Sequence, residues 1–215
     1  MAVLVGCNSV PNAAAPAVAQ AASDREIYQS VVTHVGPGNQ ALVARCQQIS
    51  DVDLAGDCAL AAVRTNIRGS ADDAKQWCPL VPDGAWRDEC FFVAADSANL
   101  RGEPDAARLL CNAAGAFAMG CRRHQLQEEL GRIVQRDIGE DFGVIEQAAV
   151  AARRRWAIHS NADGEQRSWV HLFRSAHEAT PPIDIGRCAA VSPANRDACE
   201  EGARTANPHR QAPQR

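Results

Sequence analysis

The sequence is poor in the aromatic residues that supply much of the apolar area in most cores, because Phe, Tyr and Trp together make up 5% of it. Burial must therefore come mainly from Ala, Leu and Val, which bury less surface per residue. Long apolar runs are missing too, and none approaches the ~20 residues that cross a bilayer. We expect a soluble chain with a thin core that needs covalent support.

An excess of positive charge is also missing. The formal net charge is −4 and the isoelectric point is about 5.9, which argues against nucleic acid as a partner, since phosphate binding needs a basic field. Lys75 is the single lysine, a bias that we attribute to genome composition. The run Arg153, Arg154 and Arg155 is the local exception, and such a run inside a helix favours a solvated face over an anion-binding surface.

Compact catalytic and metal motifs are absent. The sequence has no CxxC, no CxxCH and no HExxH, and its cysteines are too far apart to share one ion in the usual way. His171 and His177 should point to different faces of a helix, whereas Ser168 with His171 and His124 with Glu128 have spacings that allow contact. We predict no catalytic residue, no metal site and no cofactor.

Cysteine, by contrast, is abundant and regularly placed. Eight of the nine cysteines form four short-range couples with 11, 11, 9 and 10 residues between partners. The couples are Cys46/Cys58, Cys78/Cys90, Cys111/Cys121 and Cys188/Cys199. An even set of thiols at near-equal spacing indicates an exported protein with disulfides.

The first cysteines of three couples recur at steps of 32 and 33 residues, a period typical of stacked helix-turn-helix repeats. In each couple a helix should end near the first cysteine, and a capping residue should open the next: Asp53, Asp83, or Ser192 followed by Pro193. Antiparallel helices joined by a short loop bring the two cysteines of a couple together, which favours pairing within each hairpin, although other pairings stay formally open. We predict an all-α fold of stacked hairpins, each of the four stapled by one disulfide.

Two further patterns extend this prediction. The sequence repeats Arg-Asp-x-Cys at Arg87 to Cys90 and Arg196 to Cys199, which indicates a shared capping or pairing role. Three helices should occupy the interval between Cys121 and Cys188. The first extends the helix at Cys121 along an apolar stripe of Leu126, Leu130, Ile133 and Val134, the second covers 144–158, and the third lies around 169–176.

This layout resembles the Sel1-like and tetratricopeptide helical repeats, including cysteine-rich secreted versions with one disulfide per hairpin. The resemblance covers roughly residues 40 to 205 and implies a binding scaffold. It does not extend to the Trp, Leu-Gly, Tyr and Ala pattern of tetratricopeptides, and the intervals between paired cysteines are longer than in the secreted Sel1-like kind.

The first residues resemble the lipobox of bacterial lipoproteins, with Leu4, Val5 and Gly6 before Cys7. The resemblance implies lipidation of Cys7, the cysteine left over after pairing, and Asn8 after it favours the outer membrane. The chain then divides into a truncated signal at 1–7, a disordered tether at 8–22, a folded region at 23–206 and a disordered tail at 207–215. Ser23 with Glu26 forms a capping box where the folded region should begin.

These features predict a lipid-anchored outer-membrane protein, facing the periplasm or the surface, that binds another envelope or extracellular protein; a secreted form is the alternative address. Weak candidates for the partner site are Trp77, Trp86, Phe91 and Phe92, which helical spacing favours as core. Two other functions stay open. One is a purely structural envelope protein, and the other is an envelope hydrolase using His171 and His177 with acids such as Asp163 or Glu178.

Overall fold

The computed structural model describes residues 15–137, 139–158, 162–180 and 183–207, with side chains in the first helix from residue 23 and in the ninth from residue 164. These residues form helices and no strand, so the prediction of an all-α fold is confirmed. No helix in this part of the chain is both long and apolar enough to cross a membrane. The segment with Leu4 to Cys7, residues 8–14 of the predicted tether and residues 208–215 of the tail lie outside the described residues.

The α-helices follow one another along the chain with short connections. They are α1 Ala15–Val32, α2 Gln40–Cys46, α3 Val52–Ile67, α4 Ala71–Trp77, α5 Ala85–Leu100, α6 Pro104–Ala113, α7 Ala118–Arg136, α8 Phe142–Trp156, α9 Ala162–Ala179 and α10 Arg196–Thr205. In the described part of the chain, three 3-10 helices lie between them, at Cys78–Leu80, Gly115–Phe117 and Ile185–Ala190.

Four disulfides join the predicted couples. The Cα atoms of the joined cysteines are 5.5, 5.6, 5.4 and 5.7 Å apart in chain order, within the range that an S–S bond needs. We call the stapled segments hairpins 1 to 4. Disulfides of this number indicate an oxidising compartment, extracellular or periplasmic.

All four hairpins share a position that the sequence pattern did not reveal. The third residue after each first cysteine is buried, and its backbone N–H donates to the carbonyl oxygen of that cysteine at 3.0–3.2 Å. These residues are Ile49, Val81, Ala114 and Val191. The hairpins are therefore repeats of one local geometry, consistent with a helical repeat layout.

Neighbouring hairpins stack so that α3 and α5 run parallel. At one end the indole of Trp86 lies on Gly56, where a Cβ would come within 2.0 Å of the ring. At the other end Arg101 Nη1 donates to the carbonyl oxygen of Arg68 at 2.7 Å. The stack continues as α5 packs on α6 and α7, α7 on α8 and α9, and α10 on α9.

The Arg-Asp-x-Cys runs give their arginines the same role. Each arginine reaches back to two carbonyl oxygens just after the first cysteine of its hairpin. The acceptors are Pro79 and Val81 for Arg87, and Ala189 and Val191 for Arg196. Each arginine thus connects the second helix of its hairpin to the segment after the first cysteine, which the disulfide joins to the same helix.

Several predicted helix starts are displaced. Helix α1 begins at Ala15, eight residues before the start predicted at Ser23, so residues 15–22 are helical where the sequence suggested a disordered tether. The alanines of this stretch have the highest helix propensity, and Pro16 falls in the first turn, where its missing N–H costs nothing. The predicted capping box at Ser23 therefore lies inside a helix.

The predicted caps of the later helices shift in the same way. Asp51, not Asp53, caps α3 by accepting the N–H groups of residues 53 and 54 at 3.0 Å. Helix α5 begins after Gly84, whose φ of 107° side-chain-bearing residues rarely adopt. Helix α10 begins at Arg196, because Ser192 is engaged by another helix and the segment after it forms a turn.

Candidate functional site

An open groove of about 710 Å³ lies along the N-terminal half of the stack, where α1, α3 and α5 meet. This volume falls within the ~300–1,000 Å³ typical of ligand pockets. The groove is lined by Tyr28, Val31, Val32, His34, Gly36, Gly38, Leu42, Asp57, Leu60, Ala61, Ala62, Arg64, Thr65, Arg68, Ala85, Trp86, Glu89, Val93 and Phe117. We refer to this surface as the groove.

One end of the groove is acidic and aromatic. Tyr28 donates its hydroxyl to Asp57 Oδ2 at 2.6 Å, and this hydrogen bond to the carboxylate, with burial, raises the pKa of the tyrosine. Trp86 and Glu89 lie one turn apart on α5 and line the same end. Because Gly56 has no side chain, the indole packs directly on α3 beside Asp57.

The other end of the groove is basic. Arg64 and Arg68 lie one and two turns beyond Leu60 on the same face of α3, and both are exposed at the rim. Neither arginine forms an ion pair with a described residue, and the same holds for Asp57 and Glu89 at the opposite end. Four charges thus line one groove without a salt-bridge partner in the described chain.

The segment between α1 and α2 forms one wall of the groove. Its Gly38 donates its N–H to Thr65 Oγ1 at 3.0 Å and to Asn66 Oδ1 at 3.1 Å, and Asn66 Nδ2 returns a bond to the Gly38 carbonyl at 2.8 Å. A Cβ at Gly38 would lie 1.8 Å from the Ala62 carbonyl oxygen. The wall is therefore fastened to α3 by a contact that only glycine permits.

The four aromatic candidates from the sequence separate into two groups. Trp77, Phe91 and Phe92 are half-buried and pack against the core, which is the outcome that their helical spacing favours. Trp86 also packs on the core but lines the groove as well. Phe117 is a groove residue that sequence reasoning missed.

Other missed groove residues had a usable signal. Asp57, Leu60, Ala61, Arg64 and Arg68 follow each other at intervals of one, three or four residues and so share one face of α3. A helix face that mixes apolar residues with both signs of charge differs from an ordinary solvated face. The contributions from α1 and the 33–39 segment carry no such signal, because they depend on how the hairpins stack.

The histidines considered for catalysis do not assemble. Ser168 and His171 line a smaller pocket of about 330 Å³ between α7 and α9, but Ser168 accepts a hydrogen bond from Arg153 Nη2 at 2.6 Å. His171 is exposed, whereas His177 is fully buried on the other side of α9, as their spacing predicted.

The acids paired with these histidines lie elsewhere too. Glu178 accepts the backbone N–H of Asn207, while the side chain of Asp163 lies outside the described residues. His124 Nε2 lies 3.4 Å from Asp96 Oδ1, and its ring is tilted by 34° against that of Phe92, so its carboxylate neighbour is not the predicted Glu128.

One cluster in the described residues has the spacing of metal ligands. Nε2 of His177 lies 3.7 Å from the sulfur of Cys188 and 3.8 Å from that of Cys199. Both sulfurs are joined to each other, so they are not the thiolates that bind an ion. Burial, followed by the charge of Arg187, lowers the pKa of His177, which is therefore a neutral core residue against a disulfide.

The arginine run on α8 is not the solvated face that the sequence favoured. Arg153 stacks over Trp169 with 4.4 Å from its guanidinium carbon to the ring centroid. Arg155 pairs with Glu129, which also accepts the indole N–H of Trp156 at 2.6 Å. Only Arg154 of the three is fully exposed, because the other two cross to neighbouring helices.

Comparisons of the chain with protein-family models, with curated proteins and with solved structures found no match.

Proposed function

We propose that this chain is an exported, disulfide-stapled binding module that holds a partner protein of the cell envelope or extracellular space in the groove. The observation that carries the proposal is the set of four charges that form no ion pair with any described residue, arranged around an open groove beside Trp86. Isolated surface charges need no partner, but charges of both signs around one concave apolar site are the usual composition of a recognition surface.

The scaffold supports this role. Three disulfides lie in the hairpins that build and flank the groove, at Cys46–Cys58, Cys78–Cys90 and Cys111–Cys121. A surface built on stapled helices is pre-organised, so less conformational entropy is lost when a partner binds. Stacked helical hairpins commonly present such concave faces to other proteins.

Lipid anchoring at Cys7 is a further part of the proposal. It is supported by the lipobox-like residues before Cys7 and by the use of the other eight cysteines in disulfides. Expression in a Gram-negative host, with an upstream signal sequence supplied, should give protein that incorporates labelled palmitate, and Cys7→Ser should abolish the label. Equal labelling of both proteins, or none in either, would contradict anchoring at this residue.

The groove itself is tested by blocking it. Ala61→Arg places a long side chain into the cavity from α3, whereas Ala151→Arg adds the same side chain to an exposed site on α8 outside the groove. Chemical crosslinking and capture from envelope extract should yield a partner with the natural chain and with Ala151→Arg, and not with Ala61→Arg. A partner retained by both variants would show that binding, if present, uses another surface.

A further inference from the structure

The groove has two ends of opposite charge, and we propose that its Trp86 end binds a lysine or arginine side chain of the partner polypeptide. The inference rests on the proposed function, and adds the chemistry of the partner segment and its direction along the groove.

The acidic end is built for an organic cation. Asp57 and Glu89 are both half-buried, and neither has a cationic partner among the described residues. Tyr28 occupies only one acceptor position of Asp57. Both carboxylates line the groove from neighbouring helices, so a cation bound at this end would be attracted by two negative charges.

Trp86 selects the kind of cation. An ammonium or guanidinium group is attracted to the face of an indole within about 6 Å of the ring centre, and its aliphatic stem packs against apolar surface. Leu60 and Val93 supply that surface in the groove. A bare metal ion would use the carboxylate oxygens but not the indole or the apolar walls, and it would leave most of the cavity unfilled.

The basic end fixes the direction of the bound segment. Arg64 and Arg68 follow Asp57 by seven and eleven residues on α3, which corresponds to about 10 and 16 Å along the helix axis. An extended peptide spans at most ~3.5 Å per residue. A carboxylate about three to five residues from the basic residue would reach the two arginines, and the reverse orientation would place like charges together at both ends.

The test uses the oxidised full-length chain and a displayed library of random linear peptides. On the natural chain, selected peptides should be enriched in Lys or Arg, with Asp, Glu or a free C-terminal carboxylate about three to five residues away. Asp57→Asn and Glu89→Gln should each weaken a selected peptide about tenfold, as expected for loss of one charge-assisted contact. Asp57→Asn keeps an oxygen that accepts from the Tyr28 hydroxyl, so this substitution removes the negative charge and leaves that hydrogen bond in place.

Matched controls lie on the same scaffold. Asp53→Asn is one turn away on α3 and Glu26→Gln lies on α1, and both sites are exposed outside the groove. Neither control should change the affinity of a selected peptide. Glu89→Lys should reverse the selection at this end toward acidic peptides. Thermal unfolding and counts of free thiols will verify that each variant is folded and oxidised.

The outcomes separate the two proposals. Peptides that Ala61→Arg blocks, but that lack enrichment in Lys or Arg and do not respond to Asp57→Asn, would overturn the cation site and leave the groove as a binding surface. Failure to select any peptide, or selection of peptides insensitive to both substitutions, would overturn the cation site and the groove together.

Discussion

Hairpins 2 and 4 share the same internal contacts, but hairpin 2 lines the open groove and hairpin 4 packs against α8. Both have an arginine that binds the same two carbonyl positions and a disulfide of similar span. They differ four residues before the second cysteine, where hairpin 2 has Trp86 and hairpin 4 has Asn195. Trp86 lines the groove, whereas Asn195 Nδ2 donates to Glu146 at 2.7 Å in a partly buried contact.

The residue four positions before the second cysteine lines the groove in some hairpins and not in others. In hairpin 3 it is Phe117, which also lines the groove, and in hairpin 1 it is Leu54, which packs against the core. The disulfide and the N–H bond to the carbonyl oxygen of the first cysteine occur in all four hairpins, whereas the residue at this position differs in each. The surface of the stack can therefore differ from hairpin to hairpin while the hairpin itself stays the same.

The residue types that fill the core also differ between the two halves of the chain. The C-terminal half contains the aromatic core, with Phe142 and Trp169 stacked on either side of Phe173 at 6.1 and 5.9 Å. The hairpins beside the groove are filled mostly by Ala, Val, Leu and Ile. The thin core predicted from composition is thus a property of the groove half, which contains three of the four disulfides.

In this comparison, the contacts of Glu146 with Ser192 and Asn195 in hairpin 4 should be the easier to disrupt. Glu146 is 7% exposed and accepts the Ser192 N–H at 2.8 Å, the Ser192 hydroxyl and the Asn195 amide. Glu146→Gln must point an amide N–H at one of these donors. We expect the free energy of unfolding to fall by about 2 kcal/mol at neutral pH, measured by urea denaturation.

The effect should depend on pH. Burial opposes ionisation of Glu146, but the hydrogen bonds from Ser192 and Asn195 outweigh it and hold the pKa below its ordinary 4.5. A lowered pKa stabilises the fold above the unfolded-state pKa, and this contribution is lost as the pH falls through the folded-state value. The difference between the natural chain and Glu146→Gln should shrink below about pH 4.5. Glu26→Gln, at an exposed site, should show neither effect, and a difference constant with pH would contradict the account.

Much of the fold followed from local rules. Cysteine spacing predicted the four pairings, and the apolar stripe at Leu126, Leu130, Ile133 and Val134 predicted the buried face of α7. Both depend on residues within a few turns of one another. Helix starts were less accurate, because Asp51 and Asp53 lie two residues apart and have the same side chain, so the sequence offers two equivalent caps for α3.

The site was predicted poorly for a related reason. Trp86 was one of four aromatic candidates, and only the stacking of α5 on Gly56 distinguishes it from Phe91.

The contacts of the buried carboxylates could not be predicted from the sequence either. Asp24 and Glu146 each accept from the serine four residues after a first cysteine, Ser50 or Ser192, yet they lie 26 and 46 residues before it. Contacts over such distances have no local periodicity.

A smaller comparison concerns the arginines that hairpins 2 and 4 share. Arg87 is half-buried and donates at 2.9 and 3.1 Å, whereas Arg196 is exposed and both of its bonds are 3.4 Å long. We expect Arg87→Gln to reduce the free energy of unfolding by about 1 kcal/mol and Arg196→Gln by about half as much, since longer, solvated hydrogen bonds contribute less. Arg87→Lys separates charge from geometry, because an ammonium group keeps the pairing with Asp83 but cannot replace the planar fork that spans both carbonyls. Equal losses at the two arginines would contradict the dependence on bond length and exposure. A loss in Arg87→Lys close to that of Arg87→Gln would assign the effect of Arg87 to its planar fork.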